Sequence, residues 1–253
     1  MKSPCQTRSS EAQPVRHLAG KSPTITGTLG RRLLLGVATA ALLAGVDSTA
    51  TPANADGGSP TQYWDGADNT GNGVVDGGSG TWNATDDNWT DSTGDPGSNG
   101  VWQGFTGVFS GASGGQVSVD GTVRFDVLRF STDGYAISGD ELQLAPQGAQ
   151  SVIEVDAGIS AAIESGIVDG GNGHALAKTG EGTLVMSGYN TYSGDTIVQE
   201  GRLVAGAVNA FSPVSNLIVN GGIVDLGRNG QFITGIGGDG GKQIGRASCR
   251  ERV

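Results

Sequence analysis

Short runs of alternating apolar and polar residues, each closed by a glycine, are the feature that most constrains the fold of this chain. Turn pairs such as Asp120-Gly121 and Gly139-Asp140 separate the runs after residue 115. Within one run, Val123 and Phe125 alternate with polar neighbours, which is the period of two expected for a half-buried strand. The candidate strands in this part are 116–119, 122–130, 135–137, 141–144 and 151–155. No segment beyond residue 55 shows an amphipathic helical pattern, and we predict an all-β fold.

The clearest repetition begins at Gly180 and reads G-x-G-T-L-x-x-S-G-x-N-T-Y-x-G-x-T-x-V-x-x-G-x-L. This pattern predicts three short strands, in G-x-L-x-x-G, N-T-Y-x-G and T-x-V-x-x-G-x-L. Glycine stands at each corner, because it adopts φ > 0 without steric cost. A single coil cannot bury its inner face alone, so several must stack. At roughly 20–25 residues per coil, residues 116–236 predict about five coils. The fold is therefore predicted to be a right-handed parallel β-helix, or β-solenoid.

Twelve positions define this repeat motif, and they are the candidate site residues of the chain. They are Gly180, Gly182, Leu184, Gly188, Asn190, Thr191, Tyr192, Gly194, Thr196, Val198, Gly201 and Leu203. The predicted solenoid as a whole covers 116–243.

A tryptophan-rich region precedes the repeats and differs from them in composition. All four tryptophans of the chain lie between residues 56 and 115. We predict that 56–115 forms an N-terminal cap whose indoles pack over the first coil. The alternative is a glycan-binding module in which the indoles stack on sugars.

The N-terminal residues 1–55 are predicted to be an extended signal peptide. Six Lys and Arg residues precede an apolar run over 33–46, and Ala53-Asn54-Ala55 before Asp56 fits an A-x-A cleavage site. The apolar run is shorter than the roughly 18 residues that a membrane-spanning helix requires. The expected partner is the export machinery of the inner membrane. Arg31-Arg32 leaves both the general and the twin-arginine export routes open.

The last ten residues, 244–253, differ from the acidic, glycine-rich sequence before them. Their sequence, IGRASCRERV, resembles one translated frame of a sequencing adapter, and we predict a non-native tail. The native reading frame is then expected to continue past Gln243.

Charge and cysteine content exclude several functions for residues 56–243. This part has six Lys and Arg against 22 Asp and Glu, a formal charge of −16. An acidic surface of this kind repels nucleic acid, which proteins bind through clustered cations. Cys5 and Cys249 both fall outside the range, so neither a disulfide nor a thiol nucleophile is expected there.

Catalytic and metal-binding alternatives find little support in the sequence. His174 lies in a Gly-rich turn without a nucleophile motif, so we interpret it as a turn residue. The segment from Asp68 to Asp76 resembles half of a Ca²⁺ loop, but Ser79 stands where the loop requires its bidentate Glu, and Asx turns are the preferred interpretation. Acidic pairs such as Asp86-Asp87 and Asp140-Glu141 are interpreted as solvated surface. We predict no enzyme activity, no cofactor and no metal.

The motif from Lys178 to Ile236 resembles the passenger-associated repeat of type V autotransporters, and Tyr63-Trp64-Asp65-Gly66 resembles the region upstream of such repeats. The resemblance implies an exported protein at the cell surface, or outside the cell, of a Gram-negative bacterium. It also implies a non-catalytic structural stalk that supports export and adhesion, with outer-membrane assembly machinery as a partner through a C-terminal barrel absent from this sequence. The resemblance does not identify a host-surface or glycan ligand. Two alternatives stay open: a scaffold for an exported hydrolase encoded elsewhere in the full protein, and a secreted glycan-binding module.

Overall fold

The computed structural model describes residues 60–245 and the backbone of residues 247–249. This part is all-β and forms a parallel β-solenoid, as the sequence predicted. The solenoid has about seven turns, because it already begins in the Trp-rich region, whereas about five coils were predicted for 116–236. No helix among the described residues is long and apolar enough to cross a membrane. The predicted signal peptide, with Ala53, Ala55 and Asp56 at its cleavage site, lies outside the described residues.

The strands are short, and most have two to five residues. In chain order they are β1 (Thr61–Trp64), β2 (Gly80–Trp82), β3 (Trp89–Thr90), β4 (Thr106–Phe109), β5 (Gln116–Val119), β6 (Val123–Phe125), β7 (Val127–Phe130), β8 (Tyr135–Gly139), β9 (Leu142–Leu144), β10 (Gln150–Val155), β11 (Ser160–Ile163), β12 (Ile167–Val168), β13 (Ala175–Thr179), β14 (Thr183–Met186), β15 (Thr196–Val198), β16 (Arg202–Ala205), β17 (Asn216–Val219), β18 (Ile223–Asp225), β19 (Gln231–Ile233), β20 (Gly235–Gly237), β21 (Lys242–Ile244) and β22 (Ala247–Cys249).

Two long parallel sheets run along the solenoid. The first sheet has the order β20-β17-β15-β13-β10-β7-β4-β1-β3, and the second has the order β2-β5-β8-β11-β14-β16-β18-β21. Within them only the β1–β3 pair is antiparallel. A three-stranded sheet, β12-β9-β6, forms a third side in part of the solenoid, and β19 pairs with β22. Successive turns of the chain therefore stack strand on strand.

The strand register gives the length of each coil. Val127 pairs with Val152 and Val152 with Ala177, which is 25 residues per coil. In the repeat, Ala177 pairs with Ile197 and Ile197 with Ile218, so the coils shorten to 20 and 21 residues. These lengths agree with the predicted range of 20–25. The Trp-rich turn is much longer, because Thr61 pairs with Thr106 after 45 residues.

The predicted strand over 122–130 is wrong in one respect, since it is two strands separated at Asp126. The amides of Asp126 and Val127 both donate to the carbonyl of Phe105, at 3.0 Å each, where the chain turns from the third sheet into the first. Inward-facing positions therefore change from odd to even numbers, with Phe125 before the corner and Leu128 after it. Within β6 and within β7, buried and outward-facing residues alternate as predicted. The change from odd to even buried positions marks the corner.

The core consists of columns of inward-facing side chains, one from each coil. In the second sheet Ala161, Leu184, Leu203 and Val224 are consecutive register partners and all are buried. Each column is therefore continuous along the solenoid axis. The inward-facing side chains of each coil pack against those of the coil before it.

Strand pairing extends into the segment that the sequence predicted as a non-native tail. β21 ends at Ile244 and pairs with β18, and the backbone of β22 pairs with β19. Residues 246 and 250–253 lie outside the described residues. The non-native origin of 244–253 stays a prediction.

Candidate functional site

The repeat motif occupies one coil and the strands that follow it. Its G-T-L element forms β14, its T-x-V element forms β15, and its final G-x-L enters β16. The N-T-Y-x-G element between β14 and β15 was predicted to be a strand, and it forms none. The three apolar motif residues, Leu184, Val198 and Leu203, are buried in the core as the alternation predicted.

The motif glycines serve two purposes, of which the sequence predicted only one. Gly201 has φ 63°, in the left-handed region that glycine adopts without strain. Gly188 has no such angle, but a Cβ built there would lie 2.0 Å from the carbonyl oxygen of Ser165 in the preceding coil. Gly180 falls in the first group, and Gly182 and Gly194 fall in the second. Close stacking of coils therefore excludes side chains at these second positions.

Asn190 bridges the two coils on either side of its own. Its Oδ1 accepts from the amide of Ile167 at 2.7 Å, and its Nδ2 donates to the carbonyl of Ala210 at 2.5 Å. The side chain is 99% buried, so these bonds satisfy backbone groups that water does not reach. The neighbouring Thr191 is exposed, and its amide donates to the carbonyl of Ile167. The side chain of Asn190 therefore replaces the missing strand ladder on this side.

A second polar network joins the motif to the next coil. The Tyr192 hydroxyl lies 2.6 Å from Thr196 Oγ1, which lies 3.0 Å from the Ser215 hydroxyl. Ser212 Oγ donates to the carbonyl of Tyr192 at 2.6 Å. All four side chains are buried, and burial raises the pKa of Tyr192 to about 12. The Tyr192 phenol therefore stays uncharged at neutral pH, as its buried hydrogen-bonded position requires.

Asp169 fastens the turn before the repeat to the motif. Its carboxylate accepts from the amides of Gly171 and Gly173, and from both the amide and the hydroxyl of Ser193 at 3.0 and 2.7 Å. Burial acts to raise the pKa of Asp169, but these hydrogen bonds outweigh it and lower the pKa to about 2. Sequence reasoning missed this residue because its partner Ser193 is 24 positions away.

A related bridge occurs about two coils later, where Gln231 is buried. Its Oε1 accepts from the amide of Phe211 at 3.0 Å, and its Nε2 donates to the carbonyl of Ala207 at 2.7 Å. Both bonds of Gln231 go to the preceding coil, whereas Asn190 bonds to the coils on both sides of its own. An amide residue about two coil lengths after Asn190 was the signal that could have predicted the second bridge.

The four tryptophans form one buried cluster in the first turn. Trp89 lies 5.3 Å from Trp64, 5.2 Å from Trp82 and 4.4 Å from Trp102, measured between ring centroids. The first three indoles are fully buried and the fourth is 8% exposed. This arrangement supports packing against the core. It leaves these rings without the open face that stacking on a sugar requires.

The loop that resembles half of a calcium site is held by Asx turns. Asp68 Oδ1 accepts from the amide of Thr70 at 2.9 Å, and Asn72 Oδ1 accepts from the amide of Val74 at 2.9 Å. Over residues 60–245, no group of three or more His, Cys, Asp or Glu side chains is placed to hold a metal ion. These bonds form Asx turns, the interpretation preferred from the sequence.

His174 lies in the turn that leads into β13, beside Ser193 of the next coil. A Cβ on Gly194 would meet the carbonyl group of His174 at 2.4 Å, so the two segments are in contact. The His174 Nδ1 atom is 3.0 Å from the carbonyl oxygen of Leu144, and Ser193 Oγ bonds to Asp169 instead of to the imidazole. The geometry is that of a structural turn, in which the hydroxyl has no imidazole base.

A comparison with known protein families finds a match in the repeat, over the coil that carries Asn190 and Tyr192. Residues 176–205 match the passenger-associated-transport-repeat family. The chain is also similar to the Adhesin BmaC autotransporter of Brucella suis biovar 1 (strain 1330), with 33% identity over 160 residues, or 62% of this chain. The resemblance to autotransporter passengers is therefore confirmed.

The chain spans 4% of the length of that adhesin. No solved structure matches the chain. The two similarities support an exported protein at the surface of a Gram-negative bacterium or outside the cell, and a surface-displayed passenger as the general function.

Proposed function

We propose that this chain is a non-catalytic structural stalk of a surface-displayed passenger, and that stacking of its coils supports export across the outer membrane. The observation that carries the proposal is the unbroken parallel register of the first sheet from β1 to β20. Each coil offers a complete edge of backbone groups and an apolar face to the next. A coil that has folded outside the cell therefore stabilises the coil that emerges after it.

Backward movement of the chain would have to undo these contacts. Withdrawing one repeat coil would expose the buried residues Val198 and Leu203 and break the Asn190 bridge to Ala210. Burial of each aliphatic side chain contributes about 1.5–3 kcal/mol. Stacking thus makes outward movement favourable without a catalytic group or a bound nucleotide.

We also propose that 56–115 caps the N-terminal end of the stalk. β3 covers the outer edge of β1 as an antiparallel strand, and the amide and carbonyl of Trp89 are bonded in turn to Gly100. An uncovered parallel edge would pair with other chains. The buried indole cluster beneath this edge supports the same role.

Adhesion is the proposed role of the complete protein, because the similar Brucella protein is named as an adhesin. The proposed partners are the inner-membrane export machinery and the outer-membrane assembly machinery that autotransporters require. The stalk would then hold an adhesive segment away from the cell surface.

Disruption of coil stacking tests the export role. Val198→Asp, Leu203→Asp and Val219→Asp, introduced together into the exported protein, place three carboxylates in the core. We expect surface exposure to fall strongly, since each buried unpaired charge costs several kcal/mol. Protease accessibility on intact cells measures the exposed fraction.

The matched control places one carboxylate on the outer face of the same coil. Gln199 is exposed and follows Val198 directly, so Gln199→Asp adds a carboxylate to the same coil without entering the core. We expect Gln199→Asp to leave surface exposure unchanged. Normal surface exposure of the triple variant would show that stacking does not support export.

A further inference from the structure

Asparagine followed by glycine is the pair in which a side-chain amide reacts most readily with the next backbone nitrogen. Glycine has no side chain, so it leaves that nitrogen accessible and the backbone free to turn toward the amide. Five such pairs occur in residues 60–245, and their asparagines are Asn72, Asn99, Asn172, Asn220 and Asn229. The fold holds these five side chains in different ways.

Four of the five side chains are held by hydrogen bonds that Nδ2 donates. The acceptors are the carboxylates of Asp68 and Asp76 for Asn72, the carboxylate of Asp65 for Asn99, the carbonyl of Asp169 for Asn172 and the carbonyl of Ala205 for Asn229. Asn220 is exposed, and its side chain has no hydrogen-bond partner among the described residues. Its amide can therefore rotate toward the backbone of Gly221.

The backbone nitrogen of Gly221 is held weakly. It donates to the carbonyl of Val198 at 3.3 Å, and the amide of Asn220 donates to the same oxygen at 2.9 Å. The nitrogen of Gly173, by contrast, donates to the Asp169 carboxylate at 3.0 Å, and a bond to a charged acceptor is stronger than one to a carbonyl. Asn220 therefore combines an unpartnered side chain with a weakly bonded nitrogen.

We propose that the fold selects Asn220 for spontaneous deamidation, and that the product loosens the coil that follows. The nitrogen of Gly221 attacks Cγ of Asn220 and closes a succinimide ring, and Nδ2 leaves as ammonia with the proton of the Gly221 amide. Water then opens the ring at either carbonyl, which gives aspartate or isoaspartate. The net reaction consumes water and releases ammonia without oxidation or reduction. It lies outside the proposed function and does not depend on the export role.

Both products alter the corner between β17 and β18. A Cβ on Gly221 would lie 2.2 Å from the carbonyl oxygen of Gln199, and one on Gly240 would lie 2.7 Å from that of Asn220, so this corner stacks closely on both neighbouring coils. Aspartate adds a carboxylate beside the coil that carries Asp239, and isoaspartate also lengthens the backbone by one carbon. Pairing of β20 with β17 should therefore weaken.

Peptide mapping by mass spectrometry measures deamidation at each pair in the purified full chain, kept folded at mildly alkaline pH. The gain in mass from amide to acid reports conversion, and chromatography separates aspartate from isoaspartate. Asn172 is the matched internal control, because it is exposed and followed by glycine but is held by hydrogen bonds. We expect Asn220 to react at least about tenfold faster than Asn172, the factor that one hydrogen bond to a charged group supplies.

The same chain unfolded in urea separates the effect of the fold from that of the local sequence. There the rates at Asn220 and Asn172 should become similar, because neither side chain keeps its surroundings. Asn220→Gln keeps an exposed amide but would have to close a larger ring, so the gain in mass should disappear from that peptide. After incubation, the parent should lose hydrogen-exchange protection in β20, and Asn220→Gln should keep it.

Three results would overturn the proposal. A rate at Asn220 no higher than that at Asn172 in the folded chain would show that the corner protects the amide. The same preference for Asn220 in urea would show that local sequence, and not the fold, selects it. Unchanged protection of β20 in a deamidated sample would contradict the loosening. Surface exposure in cells is not part of this readout, so failure of the export proposal would leave these results intact.

Discussion

The Trp-rich turn and the repeat coils fill the interior of the solenoid with different kinds of side chain. Between Thr61 and its partner Thr106 the chain uses 45 residues and fills the interior with a cluster of indoles. Between Ala177 and Ile197 it uses 20 residues, fills the interior with aliphatic columns, and joins coils through buried polar side chains. The first arrangement occurs once, whereas the second is repeated along the chain.

This difference implies that substitutions in the two regions should affect stability over different lengths of the solenoid. Indole contacts are concentrated among side chains of one turn, so their loss should remain local. Bridges such as Asn190 connect three consecutive coils, so their loss should reach both neighbours. In stacked-repeat proteins, stability is approximately a sum of repeat and interface contributions.

Trp89→Ala should have the largest effect, because this ring contacts all three other tryptophans and Phe109. Truncation of a buried tryptophan typically costs about 3–5 kcal/mol of unfolding free energy. Hydrogen exchange should show loss of protection in β1 to β4 and little change in β13 to β16. Val101→Ala, at an exposed position of the same region, should change stability by less than about 0.5 kcal/mol. Equal loss of protection in both regions would contradict the local character of the cluster.

Asn190→Ala should have an intermediate effect that reaches two coils. The variant removes the hydrogen bonds to the amide of Ile167 and the carbonyl of Ala210, each with a net contribution of about 0.5–1.5 kcal/mol. Urea unfolding measures the total loss of unfolding free energy, and hydrogen exchange at the Ile167 amide shows whether this loss arises at the bridge. The exposed neighbour supplies the control, since Thr191→Ala should be close to neutral. An unchanged exchange rate at Ile167 in Asn190→Ala would rule out the bridge.

The smallest effect at neutral pH is expected from titration of buried side chains, which makes the free energy of unfolding depend on pH. Burial lowers the pKa of Lys178 to about 8 from 10.5, against the opposing charges of Glu200 and Glu154. Between these values the unfolded chain holds a proton that the folded chain has released, so the free energy of unfolding should rise with pH. Tyr135 and Tyr192 act oppositely above pH 10, because burial raises the pKa of each to about 12 and folding then favours the protonated form.

Lys178→Met should therefore remove the rise in unfolding free energy between about pH 8 and 10, and keep the fall above pH 10. Guanidinium unfolding of the variant and the parent at a series of pH values makes the comparison. If the unfolding free energy rose equally in both proteins, titratable groups other than Lys178 would be responsible for the rise.

Much of the solenoid could be predicted from the sequence, because strand alternation and glycine corners are local signals. Val198 and Leu203 were correctly expected in the core from their spacing alone. The break at Asp126 was missed because a corner interrupts the alternation without glycine or proline. Only a change from odd to even positions, from Phe125 to Leu128, marks it.

The candidate site was less predictable, since its polar groups act between residues distant in sequence. The N-T-Y element was recognised as a motif, but the bond from Ile167 to Asn190 spans 23 positions. Lys178 at an inward position contradicts the expectation that a strand's buried face is apolar. Its acceptors depend on the corner at Gly180, which is a property of the folded coil.

The central claim is that the Trp-rich turn and the repeats form one continuous stack. Distances along the outer face of the first sheet test this claim most directly. Nitroxide labels at Thr106 and Ile197 are separated by four steps of the register, and labels at Thr106 and Ile218 by five. At about 4.8 Å per step, electron paramagnetic resonance should give backbone separations of about 19 and 24 Å. Two distances that differ by one strand spacing are the predicted result. Separations that do not increase with the number of steps would contradict the stack.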